Sequence, residues 1–172
     1  MDEKVESFVE MIKGSLDNVG DEYYKITTTY ESSGIVRERV FCYELYHQMR
    51  LVQSERGLND VQIHGEIDKN GHIAFDRNAR KNPDFVFHIP GMMQGNAIVV
   101  EVKGKIEGTY QEVVYKDIVT LSKFTNNKHY YHSGIFIIYN YTYVEFLNNM
   151  GEFLKNRLQE NKVSTDKIII MC

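Results

Sequence analysis

Apolar side chains recur at helical spacing near the start of the chain, at Val5, Phe8, Val9, Ile12 and Leu16, which predicts an amphipathic helix whose stripe docks on another element. A polar stretch, Asp17–Gly34, separates that helix from the remainder of the chain. Ser32 or Ser33 is expected to cap a second helix over roughly 35–54, with Phe41, Cys42, Leu45, Met49 and Val52 on its apolar face. Three strand signals come next. Val61, Ile63 and Ile67 alternate with Gln62, His64, Glu66 and Asp68; Phe85–Ile89 is aromatic and β-branched; Ile98, Val99, Val100 and Val102 run into Lys103. They read as an antiparallel meander. A helix over roughly 110–125 with Val114, Ile118 and Leu121 inward, and an apolar strand Ile135–Tyr139, come after it. A last helix, roughly 143–160, carries Leu147, Met150, Leu154 and Leu158 inward before a strand at Lys167–Met171. The order α-α-β-β-β-α-β-α-β predicts an α/β architecture, a mixed sheet flanked by helices.

A length of 172 residues suits one domain, 1–172. With 42% apolar residues and only 2 prolines, disordered, collagenous and disulfide-scaffold classes drop out. The longest apolar runs, Ile135–Tyr139, Ala97–Val100 and Ile168–Cys172, fall far short of the ~18 residues of a membrane span, so no membrane association is expected. The acidic opening Met-Asp-Glu-Lys-Val-Glu lacks the features of a secretory signal, and the two cysteines form no CxxC pair, so the expected location is the cytoplasm. Net charge is −4, but the first 34 residues hold 3 Lys and Arg against 8 Asp and Glu, which leaves 17 against 16 for the remainder. That near-neutral body has local basic groups at Arg77, Arg80 and Lys81 and at Lys103 and Lys105, which keeps nucleic acid open as a partner.

The segment Pro83–Lys103 carries the chemistry. If Ile89 pairs with Asn96 around the Pro90–Gly95 loop, Asp84 falls directly opposite Glu101 on one face, with Cβ atoms about 5 Å apart. Lys103, two residues beyond Glu101, shares that face by strand alternation. Two crowded carboxylates repel unless a cation or proton lies between them, and an oxygen-only pair suits Mg²⁺. A metal there would polarise a phosphoryl oxygen and acidify a water, while Lys103 would stabilise phosphate charge or orient that water. On the residues alone, a surface ion pair of Lys103 with Glu101 or Asp84 accounts for the tripeptide equally well.

The order of elements, a helix with Glu, a strand, a strand opening Pro83-Asp84, a strand closing Glu101-Val102-Lys103, then helix and strand, resembles the PD-(D/E)XK nuclease superfamily. The segment Gly34–Val40 is similar to the opening of the first core helix in archaeal Holliday-junction resolvases. The resemblance spans about 34–140 and implies a restriction-endonuclease-like αβββαβ core. The extra N-terminal helix and loop then fall in 1–33, and the C-terminal helix and strand in 141–172. It further implies Mg²⁺-dependent cleavage of DNA, with Mn²⁺ substituting, Asp84 and Glu101 as metal ligands and Lys103 as the catalytic lysine.

A third acid is sought on the first core helix. Glu38 lies at the centre of its apolar stripe, whereas Glu44 lies on the flank, within reach of water, Arg50 or Gln48. Glu38 is therefore the expected auxiliary acid and metal ligand; Glu44 and Glu66 are secondary candidates. His88 shares alternation with Asp84 but reads as a structural histidine, and no HExxH spacing points to zinc. Tyr130, Tyr131, Tyr139, Tyr141 and Tyr143 read as core more readily than as base-stacking residues. Arg77, Arg80, Lys81 and Lys105 are the candidate nucleic-acid contacts, and so modest a basic footprint favours a homodimer or a partner protein. The alternative function is a catalytically silent nuclease-like module that binds nucleic acid or a partner protein.

Overall fold

The computed structural model describes residues 3–27, 35–66, 82–104, 110–126 and 131–172. The chain divides into two compact units, Met1–Asp60 and Val61–Cys172. Among the described residues, no helix is long and apolar enough to cross a membrane.

In the first unit, α1 (Glu3–Leu16) buries Val5, Phe8, Val9, Met11 and Ile12 and packs against α3 (Glu38–Glu55). Between them lie a short α2 (Asp21–Tyr24) and a two-stranded antiparallel pair, β1 (Lys25–Ile26) with β2 (Ile35–Val36). Tyr24 meets Phe41 edge-on at 5.3 Å between ring centres, tying α2 to α3. The helix expected to open near residue 35 starts instead at Glu38. Ile35 and Val36 are spent on β2, and the N-cap is Arg37, with no side-chain cap. Ser32 and Ser33 lie outside the described residues. The buried row on α3 is Phe41, Leu45, Met49 and Gln53, while Cys42 and Val52 are half-buried. A buried glutamine is tolerated because its polar atoms are matched: Gln53 donates to the Leu58 carbonyl at 2.9 Å and accepts from Arg50 at 2.7 Å.

The second unit is built on a mixed five-stranded sheet ordered β3-β4-β5-β6-β7. Its strands are β3 (Gln62–Gly65), β4 (Phe85–His88), β5 (Ile98–Gly104), β6 (Ser133–Tyr139) and β7 (Ile168–Met171). The first three run antiparallel, the expected meander, and β5, β6 and β7 run parallel. Parallel neighbours need a crossover, which α4 (Tyr110–Asn126) supplies between β5 and β6. The chain from β6 to β7 passes through α5 (Tyr143–Phe146), a π-helical turn (Leu147–Gly151) and α6 (Glu152–Glu160).

One sheet face presents Val86, Val99, Phe136 and Ile138 to Val114, Ile118, Leu121 and Phe124 of α4 and to Phe146, Met150 and Leu154. Glycine at 134 lets α4 seat closely on β6, since a Cβ there would lie 3.1 Å from the Cβ of Leu121. The last helix departs from the expected stripe. Leu147 is 45% exposed, because the widened π turn carries one more residue than an α turn and shifts the phase, so that Phe146 takes the inward position.

The turn into α5 is held by a capping box in which Thr142 and Glu145 satisfy each other's backbone amides. Thr142→Ala should lower stability by about 1 kcal/mol, read from the midpoint of urea denaturation, and Thr142→Ser should restore most of it.

Candidate functional site

Strand register brings the candidate residues together. The β4–β5 ladder pairs Phe85 with Val100, Val86 with Val99 and Phe87 with Ile98, which is the alignment that sets Asp84 against Glu101 one step further on. The turn itself closes differently from the expected Ile89–Asn96 pairing. Ala97 N donates to Phe87 O at 2.8 Å and Ile89 N to Gly95 O at 3.1 Å, so Phe87 faces both Ala97 and Ile98. This two-against-one arrangement is that of a β-bulge, and it absorbs the tight loop without disturbing the register at the far end.

The same row extends to the neighbouring strand. β3 pairs Gly65 with Phe85, and the amide of Glu66 donates to the carbonyl of Asp84 at 3.1 Å. Glu66, Asp84 and Glu101 thus lie side by side across three strands. On the other flank, Glu101 neighbours Phe136, and Lys103 neighbours Ile138. By alternation, Asp84, Glu101 and Lys103 share the face on which α4 packs, at the end of the strands where that helical cover begins.

The Asp84 carboxylate has a defined seat. One more step of the ladder would pair Val102 with Pro83, whose missing N–H leaves the Val102 carbonyl, and not its amide, without a donor there. The ladder stops at Phe85, and Asp84 Oδ2 accepts the Val102 amide at 2.6 Å instead. The peptide that links Glu101 to Lys103 is therefore bonded to the carboxylate that opens the motif. Glu101 is only 8% exposed, and a carboxylate so placed is held by hydrogen-bond donors or by positive charge around it. Lys103 is half-buried on the same face.

The other candidates are more scattered. Glu66 is exposed and adopts a left-handed backbone, φ 46°, so β3 ends at Gly65 and the expected alternation stops there; Ile67 and Asp68 lie outside the described residues. Glu38 is half-buried in the first turn of α3, in line with the buried row Phe41, Leu45, Met49 and Gln53. It belongs to the first unit, and the Asp84–Glu101 row to the second. Glu44 accepts from Gln48 at 2.6 Å, as expected of its flank position, while Arg50 turns to Gln53. Arg77, Arg80, Lys81, Lys105 and Tyr130 lie outside the described residues.

Tyr131 and Tyr139 are core residues, and burial pushes the Tyr131 hydroxyl pKa up. Tyr141 packs against Tyr110, and Tyr143 is 53% exposed. Glycine at 104, one residue after Lys103, gives Tyr139 its room, since a Cβ there would come within 2.5 Å of the phenolic oxygen. One contact went unforeseen: His64 Nδ1 and His88 Nε2 are 2.8 Å apart. The β3–β4 pairing was the signal for it, because a register that sets Glu66 beside Asp84 also sets His64 diagonal to His88.

Among the described residues, no three His, Cys, Asp or Glu side chains form a metal cluster. Asp84 and Glu101 offer two carboxylates, a hard oxygen donor set that fits Mg²⁺, an ion that takes one or two protein carboxylates and fills its other positions with water and phosphate oxygens. No protein-family model, curated protein or solved structure matches the chain.

The Val102–Asp84 bond sets the stability of the metal-free site. Relief of carboxylate repulsion alone would make loss of Asp84 neutral or stabilising, but Asp84→Ala also deprives the Val102 amide of a charged acceptor. Asp84→Ala should cost about 1–2 kcal/mol in chemical denaturation with EDTA present. Asp84→Asn, which keeps an acceptor oxygen, should cost less than half of that. Equal losses in the two variants would show that the bond contributes nothing.

Proposed function

We propose that the chain is a Mg²⁺-dependent nuclease that hydrolyses phosphodiester bonds, with DNA as its substrate class, on a restriction-endonuclease-like core. The observation that carries the reading is the alignment of Asp84 with Glu101 in one row, with Lys103 on the same face and Asp84 bonded to the Val102 amide between them. The run α3-β3-β4-β5-α4-β6 matches the αβββαβ order, antiparallel through β5 and parallel from β5 to β6. These features favour the nuclease over an incidental E-x-K tripeptide, which requires no acid across the strand.

Asp84 and Glu101 would hold the ion, and Glu38 is the proposed auxiliary acid. When bound, Mg²⁺ supplies Lewis acidity toward a phosphoryl oxygen and lowers the pKa of a water. Lys103 holds its ammonium at the developing phosphate charge or orients the attacking water, and the burial of Glu101 keeps bulk water from screening that pair. Arg77, Arg80, Lys81 and Lys105 are the proposed phosphate contacts, and a homodimer is the proposed active form because it doubles a modest footprint.

The test is incubation of the chain with plasmid, linear, single-stranded and branched DNA and with RNA, in Mg²⁺, Mn²⁺ or EDTA. Cleavage should require the metal and fall by about 100-fold or more in Asp84→Asn, Glu101→Gln and Lys103→Ala, with metal affinity kept only in the lysine variant. Glu38→Gln should lower cleavage far more than Glu44→Gln. Binding without cleavage of any form would favour the silent module, and activity that survives EDTA or the Asp84 and Glu101 variants would end the metal-nuclease reading.

A further inference from the structure

The His64–His88 contact lies outside the acidic row and outside the packing of α4. The two residues sit diagonally on neighbouring strands: His64 is paired with Val86, and His88 with Gln62. Their rings meet edge to face, with centroids 5.0 Å apart at 74°, and both are half-buried. Among the described residues, β3 is the outermost strand of the sheet.

We propose that His64 and His88 form a two-imidazole chelate for a late first-row divalent ion, copper(II) or nickel(II). Two nitrogens each about 2.0 Å from one metal are about 2.8 to 3.3 Å apart, from cis positions at 90° to a tetrahedral angle. The facing nitrogens here are hydrogen-bonded at 2.8 Å, which places them within reach of one ion.

The backbone therefore stays where it is, and the rings need only turn about χ2 so that both lone pairs aim at a common point beside them. In the metal-free pair, one imidazole contributes the N–H and the other accepts it. On binding, that proton moves through solvent to the far nitrogen of the same ring, so both rings remain neutral and no net proton is released. Imidazole nitrogen suits copper and nickel and not Mg²⁺, so this site and the acidic row sort ions by donor chemistry. Glu66 and Asp84, in the next row on β3 and β4, add negative potential that favours a cation.

The test uses the full chain stripped of metal and titrated with copper(II) and nickel(II), followed by calorimetry and, for copper, by electron paramagnetic resonance. The expected result is one equivalent bound with a hyperfine pattern from two equatorial nitrogens. Affinity should fall at least about tenfold in His64→Gln and in His88→Gln, and stay within twofold in His47→Gln. If His88→Gln proves unfolded by circular dichroism, His64→Gln on β3 decides alone. No stoichiometric binding, a one-nitrogen spectrum, or unchanged affinity in a folded His64 variant would overturn the proposal. Because the readout is copper or nickel binding, its failure leaves the nuclease reading untouched, and loss of nuclease activity leaves this one untouched.

Discussion

A hydrogen bond from the Val102 amide to the Asp84 carboxylate closes the far end of the central hairpin, and the rest of the candidate site depends on it. Pro83, at the next step, lacks the N–H that a full backbone exchange with Val102 would need, and beyond Phe85 a side chain takes over from the ladder. That bond fixes an acidic group to the backbone between Glu101 and Lys103. The hairpin register sets which residue stands across from it, and the parallel pairing of β5 with β6 seats Glu101 beside Phe136, under the cover of α4. A one-residue slip of β5 against β4 would turn Glu101 and Lys103 to the other face. The 0% exposure of Val86, Val99, Val100 and Ile98 opposes such a slip, because it would exchange the apolar sets of the two faces.

Much of this fold is legible in the sequence. The alternation and β-branched content of β4, β5 and β6 locate the strands to within a residue or two, and the stripe Val114, Ile118, Leu121 locates α4. The acidic pair comes from register, which is correct over Phe85–Phe87 even though the turn used to argue for it closes through Gly95 instead of Asn96. The failures share a cause: local pattern was overridden by pairing or packing from elsewhere. Ile35 and Val36 pair with Ile26 and Lys25, so the first core helix starts late and without a serine cap. The π turn rotates Leu147 outward, which heptad-like spacing cannot foresee. Gln53 is buried because Arg50 and the Leu58 carbonyl satisfy it, a tertiary circumstance absent from any helical wheel.

The electrostatic balance of the site gives the functional reading its physical content. A carboxylate 8% exposed, with a second in the next strand of the same row, is a costly arrangement for stability alone. In the proposed reading, Lys103 on the same face and a divalent ion would together offset the negative charge, the ion leaving positions for water and phosphate. The row is also asymmetric. Asp84 is tethered to backbone, whereas Glu101 projects from the middle of a seven-residue strand between two buried valines, Val100 and Val102. Both supports come from sheet backbone and not from loops, and this favours precise placement of donor oxygens.

The most direct measurement of the central claim is a crystal of the chain grown or soaked with Mn²⁺, with data collected at the manganese absorption edge. The account predicts an anomalous peak in contact with carboxylate oxygens of both Asp84 and Glu101, absent from crystals of Asp84→Asn soaked in the same way. A crystal with no peak at that row, or with manganese bound only elsewhere on the chain, would contradict it.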